Sequence, residues 1–242
     1  MAVVKLRRQG LILVLTLCVV SQSMGAEISK RCQEGTSLWI PQAEDASMRI
    51  AKWDPAIGYE IDAKQPDARM TALVENSLRF QSQESGLKIS PGSGFGADLY
   101  IAIIPDITTL ASPVVRKGVA NYIQDYYRKQ GTQGSFQINA ALWDASARNI
   151  VPKCFGVTLI PLQVRLRAFL AVQRDASAVC INIGLAEILG LGNLRKYYLG
   201  HGQNDPSDLI AIGLQTLYDK RIVAVMSRSD ASNKLEEVCA GR

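Results

Sequence analysis

Histidine is almost missing from this 242-residue chain, in which His201 stands alone. A zinc site built on three histidines is therefore impossible. His201 lies in the polar stretch Gly200-His201-Gly202-Gln203-Asn204-Asp205, reads as an exposed loop residue, and has no Cys or His beside it to complete another kind of metal site. The five cysteines, at positions 18, 32, 154, 180 and 239, are spaced too widely for a CxxC zinc motif. There is no G-x-S-x-G elbow, and neither Ser112 nor Ser135 has a histidine placed to activate it. No apolar run approaches the ~20 residues of a membrane-spanning helix. Lys/Arg runs interleaved with aromatics are absent, so nucleic acid is not an expected partner. Internal repeats, low-complexity tracts and Pro/Ser linkers are missing too. The length beyond the first 25 residues then reads as one domain, 26–242, and a hydrophobic fraction of 48% suffices for a full core.

What is present begins at the N-terminus. Lys5, Arg7 and Arg8 precede an apolar run over 11–20 and the small and polar residues 21–26, the order of a secretory signal peptide. Cleavage after Gly25 or Ala26 is expected, which lowers the formal charge from +5 to +2 and leaves no membrane span. The expected location is outside the cytoplasm, in the periplasm or the medium. Cys32, Cys154, Cys180 and Cys239 remain, an even number in an exported chain, with three possible pairings. Cys154–Cys180 would tie a strand to the start of a helix and Cys32–Cys239 would tie the two ends of the domain; this is the preferred set, against four buried thiols.

Hydrophobic periodicity orders the elements. Short strands over 48–53 and 57–61 are broken by Asp54-Pro55, and a helix over 67–83 follows, with Met70, Leu73, Val74, Leu78 and Phe80 apolar. A strand over 87–89, a loop over 90–94 and a buried strand over 97–104 come next. Ser112-Pro113 opens a helix reaching about Lys129. Strands are expected over 137–143, 154–160 and 165–172, the last two as a hairpin around Pro161. A helix over 176–191 ends at Gly192, and Asp205-Pro206-Ser207 opens a C-terminal helix over 207–218. Mixed strands and helices without regular alternation give the α+β class.

The segment 180–193, C-I-N-I-G-L-A-E-I-L-G-L-G-N, has the outline of a metallopeptidase helix. In H-E-x-x-H-x-x-G-x-x-H, two histidines share a helix face and a glycine turn brings in the third. With that glycine set at Gly190, the ligand positions are Ile183, Glu187 and Asn193, and the general-base position is Gly184. The chain resembles an uncharacterised family of exported bacterial zincin-like domains, whose members carry C-x-x-E-E-x-x-Q-x-L-G-L-x-N, then Leu-Tyr-Asp-Pro-Arg and a methionine. Cys180, Leu189, Gly190, Leu191 and Asn193 match, as do Leu217-Tyr218-Asp219, Arg221 and Met226, while Lys220 replaces the proline. The segment over 48–62 is similar to the family's tryptophan-containing first strand. The resemblance implies a zincin-like fold, with a sheet on one long helix and the motif helix beneath it. Where the family has paired glutamates this chain has Ile183 and Gly184, and Glu187 replaces the glutamine.

Zinc peptidases need three protein ligands, an open position and a base. Ile183 and Gly184 supply none of these, so no catalytic residue, metal or cofactor is expected. Ile183 should pack in apolar surroundings. Glu187 reads as a solvated or salt-bridged helical residue, Gly190 to Asn193 as a helix-ending turn, and Asp205 and Asp208 as capping and first-turn acids. The expected function is non-catalytic binding of a protein or envelope component. The alternative is a hydrolase that uses Glu187 without a standard zinc site.

Overall fold

The buried strand expected over 97–104 is the middle of the molecule. The computed structural model describes residues 30–39, 50–63, 67–92, 97–129, 153–159, 164–165, 167–192, 194–201 and 205–240. Within them, β4 (Leu99–Ile104) is central to a five-stranded sheet. Its side chains alternate, with Leu99, Ile101 and Ile103 buried on one face and Tyr100, Ala102 and Ile104 on the other. β2 (Ala56–Ala63) and β7 (Arg167–Gln173) flank it in parallel. β3 (Lys88–Pro91) lies parallel outside β2, and β5 (Cys154–Leu159) antiparallel outside β7. The two-residue strands β1 (Lys52–Trp53) and β6 (Val164–Arg165) pair with each other. The protein is α+β, with a mixed sheet packed on helices.

The two faces of the sheet are covered unequally. α2 (Ala68–Ser85) starts at Asp67, whose carboxylate accepts from Met70 N–H at 3.0 Å, and ends at Gly86. It buries Met70, Val74 and Leu78 beside Ile57, Ile101 and Leu170 of the sheet. α4 (Ala178–Leu189) and α6 (Ser207–Leu217) pack into the same core. The opposite face carries a smaller cluster: Phe155, Phe169 and Ala171 with the 3₁₀ turn Ile107–Ala111 and the start of α3 (Pro113–Lys129). Tyr100 stacks there on Phe169, ring centroids 6.2 Å apart. α1 (residues 30–37), α5 (Leu194–His201) and α7 (Arg228–Ala240) complete the described elements. Both expected cysteine pairs are disulfides with Cα atoms 5.9 Å apart, Cys32–Cys239 joining α1 to α7 and Cys154–Cys180 joining β5 to α4. No helix among the described residues is long and apolar enough to cross a membrane.

Several boundaries differ from expectation. Pro91 belongs to β3 rather than to a loop, because β3 is an edge strand, where a missing N–H costs no ladder bond. The motif helix ends at Gly190, not Gly192. His201 is the last residue of a helix, α5, rather than part of a loop. The helix near 207–218 is followed by α7, whose sequence is polar and buries only Ala231 and Val238. The expected signal segment 1–25, the strand over 137–143, and Asn193 lie outside the described residues.

Candidate functional site

Ser177 begins the motif helix by accepting from Cys180 N–H at 3.2 Å. The helix that follows is apolar around most of its circumference, which suits an element between a sheet and two other helices. Ile183 is 5% exposed and belongs to the main core. Burying such a side chain contributes about 1.5–3 kcal/mol, a strong reason for it not to face a cleft. Gly184 faces the sheet at close range. A Cβ there would lie 2.9 Å from Leu170 Cδ1 and 3.7 Å from Cys154 Cβ, and one at Gly156 of β5 would meet Ile188 at 3.1 Å. A side chain at the position that aligns with a general base would therefore have to displace Leu170, which is fully buried in the core.

Glu187 lies one turn after Ile183 on the same helix. Arg195, at the start of α5, reaches back to it with both arms: Nη2 donates to Oε2 at 2.8 Å and Nε to Oε1 at 3.2 Å. Nη1 donates to the carbonyl of Cys154 at 3.4 Å, so one guanidinium links α4, α5 and β5. The two side chains are 21% and 22% exposed. Burial pushes the Glu187 carboxyl above its ordinary value, and Arg195 opposes that shift without reversing it.

The carboxyl end of α4 shows where its terminal backbone groups go. The last four carbonyls of a helix lack partners within it. Here Ala186 O accepts from the N–H groups of Gly190 and Leu191, and Glu187 O from Gly190 N–H. Ile188 O accepts from the Trp53 indole at 2.9 Å and Leu189 O from the Tyr218 hydroxyl at 2.8 Å. Gly190 sits at φ 130°, a conformation that a side chain would strain, which is why glycine ends the helix.

The same corner gathers the other residues that carry the family resemblance. Asp219 holds Arg221 through two bonds of 2.8 Å, and Arg221 Nη1 donates to Glu237 O on α7 at 2.5 Å. Ile50 N–H donates to Met226 O, and Val225 N–H to Ile50 O. Lys52 Nζ donates to Ile222 O at 2.6 Å and lies 5.3 Å over the Tyr218 ring. Burial lowers its ammonium from 10.5 to about 8, and the Asp219 carboxylate works against this.

Of the motif positions, Ile183 fills core, Gly184 packs backbone on the sheet, Glu187 is matched by a cation, and Gly190 ends the helix. Asp205 is not the helix cap that was expected: Pro206 holds that position and makes no side-chain cap bond, while Asp205, one residue earlier, accepts from Ser207 N–H at 3.0 Å; Asp208 lies in the first turn of α6, as expected. Arg195 and the capping roles of Trp53 and Tyr218 were not evident from sequence pattern. The one available signal for Arg195 was its position just past a glycine turn, where the chain folds back along α4. No protein-family model, curated protein or solved structure matches this chain.

Proposed function

We propose that this chain is an exported, non-catalytic domain with a zincin-like fold, which acts by binding a protein or another component of the cell envelope. The observation that carries this reading is the two-armed Glu187–Arg195 ion pair. The single carboxylate on the motif helix is committed to a guanidinium, and general-base or metal chemistry needs a carboxylate available to substrate or ion. The packing of α2 and α4 on one sheet face supports the zincin-like part, since the resemblance implies a sheet on a long helix with the motif helix beneath. The two disulfides and the basic–apolar–small N-terminal segment support export.

Glu187→Gln tests the reading, because it keeps shape and removes charge. Capture of envelope proteins by the purified mature domain should change less than twofold. A hundredfold loss of biological activity with unaltered folding would overturn it and put a hydrolase using Glu187 in its place. Mass spectrometry of the exported protein tests the location. Retention of residues 1–25, or four alkylatable cysteines, would remove the support for export.

A further inference from the structure

The interface between α2 and α4 is apolar except along one line. On α2, Ser77, Gln81 and Ser85 recur every four residues and are all buried, so they share one face. Ser85 is satisfied locally: its Oγ donates to Gln81 O at 2.7 Å and accepts from Leu87 N–H at 3.1 Å. Gln81 is 0% exposed and reaches across to α4, where Nε2 donates to the backbone carbonyl of Asn182 at 3.1 Å. That bond fixes which way the amide faces, because reversing it would set two carbonyl oxygens against each other. Gln81 Oε1 is left buried with no donor, and so is Oδ1 of Asn182, the residue that Gln81 touches. Buried acceptors are almost always paired. Two such oxygens on contacting residues call for a donor with two hydrogens to give.

We infer that the α2–α4 interface is a binding site for one small hydrogen-bond donor, a buried water molecule, held by Gln81 Oε1 and Asn182 Oδ1. Water offers two O–H donors to these two acceptors. The Ser77 hydroxyl, one turn from Gln81 on the same face, supplies a third polar group. A neutral ligand suits the site because neighbouring residues of both helices, Leu78 and Ile181, belong to the main apolar core, where an added charge would be costly. The site is independent of the motif residues and of their proposed role.

The test is a crystal structure of the mature protein, grown without ammonium salts, at a resolution that orders internal waters. A peak about 2.5–3.0 Å from both oxygens is expected, and it should vanish in Gln81→Met, which keeps the chain length and removes the amide. A reversed Asn182 amide donating straight to Gln81 Oε1, with no peak between, would overturn the inference. If Gln81→Met does not fold, the wild-type protein decides by NMR. A cross-peak from long-lived water to the Gln81 side-chain amide protons supports the site, and absence of that cross-peak refutes it.

Discussion

At its amino end α4 is held covalently, through Cys180 to Cys154 on β5, with Ser177 capping the first turn. At its carboxyl end no covalent tie holds it; Ile188 and Leu189 pack in the core, and hydrogen bonds come from Trp53 of β1 and from Tyr218 just past α6. The first attachment fixes the position of the helix on the sheet and satisfies few polar groups. The second satisfies carbonyls that would otherwise be buried without donors, and draws two distant segments to one point. Between them the Glu187–Arg195 pair fastens the side of the helix to α5 and β5. One helix thus shows that anchoring and polar satisfaction are separate tasks, met by separate residues.

Breaking each attachment in turn should rank them. The largest effect is expected at the amino end. Replacing Cys154 and Cys180 together by alanine opens a crosslink with a sequence separation of 26. Urea unfolding should then show a loss of about 3–4 kcal/mol. The side attachment comes next. Arg195→Met leaves a half-buried carboxylate unmatched and should cost about 2 kcal/mol, less than a fully buried pair because water reaches both side chains. The loss should shrink as the pH falls and Glu187 takes up a proton, and it should be largely absent in Glu187→Gln/Arg195→Met. Tyr218→Phe removes one donor from Leu189 O and should cost about 1–2 kcal/mol, read from the thermal midpoint.

The pH profile offers a further comparison, because Glu187 on the side of α4 and Lys52 over Tyr218 pull oppositely. Glu187 has a raised folded-state value, so the folded protein holds more protons there than the unfolded chain. Its contribution is full below the ordinary value of 4.5 and is lost as pH rises from there. Lys52 has a lowered folded-state value of about 8, against 10.5 unfolded. Between those limits the unfolded chain holds more protons, and stability rises with pH. Glu187→Gln should flatten the acidic slope and Lys52→Met the alkaline one, as measured by denaturation across pH.

The parts of the fold that were legible in the sequence are those where local chemistry and burial agree. α2 has Asp67 at its start and Met70, Val74 and Leu78 at helical spacing, and these act as that pattern indicates, while the helix runs past the expected end at 83 to Ser85 and its Gly86 cap. The strand at 99–104 is apolar on both faces because both faces are covered. α7 escaped notice because it buries Ala231 and Val238 seven residues apart and is otherwise polar, being held by Cys239 and Arg221 rather than by an apolar stripe. In the candidate site, the apolar setting of Ile183 and a salt-bridged Glu187 were readable from residue type. The choice of Arg195 as partner was not, since it depends on the angle at which the chain leaves Gly190. Trp53 and Tyr218 were visible only as resembling residues. Their donor roles depend on contacts across 135 and 29 residues of chain.

Those separations bear on synthesis. The helix 178–189 can begin to coil as soon as it is made, but its final carbonyl waits for a hydroxyl that emerges 29 residues later. Its neighbour waits for an indole to be carried back from near the beginning. A nascent chain stopped before residue 218 would hold this helix with an unfinished, fraying end. Completion of α4 therefore depends on residues distant in the chain, and is set by topology and not by the helix's own sequence.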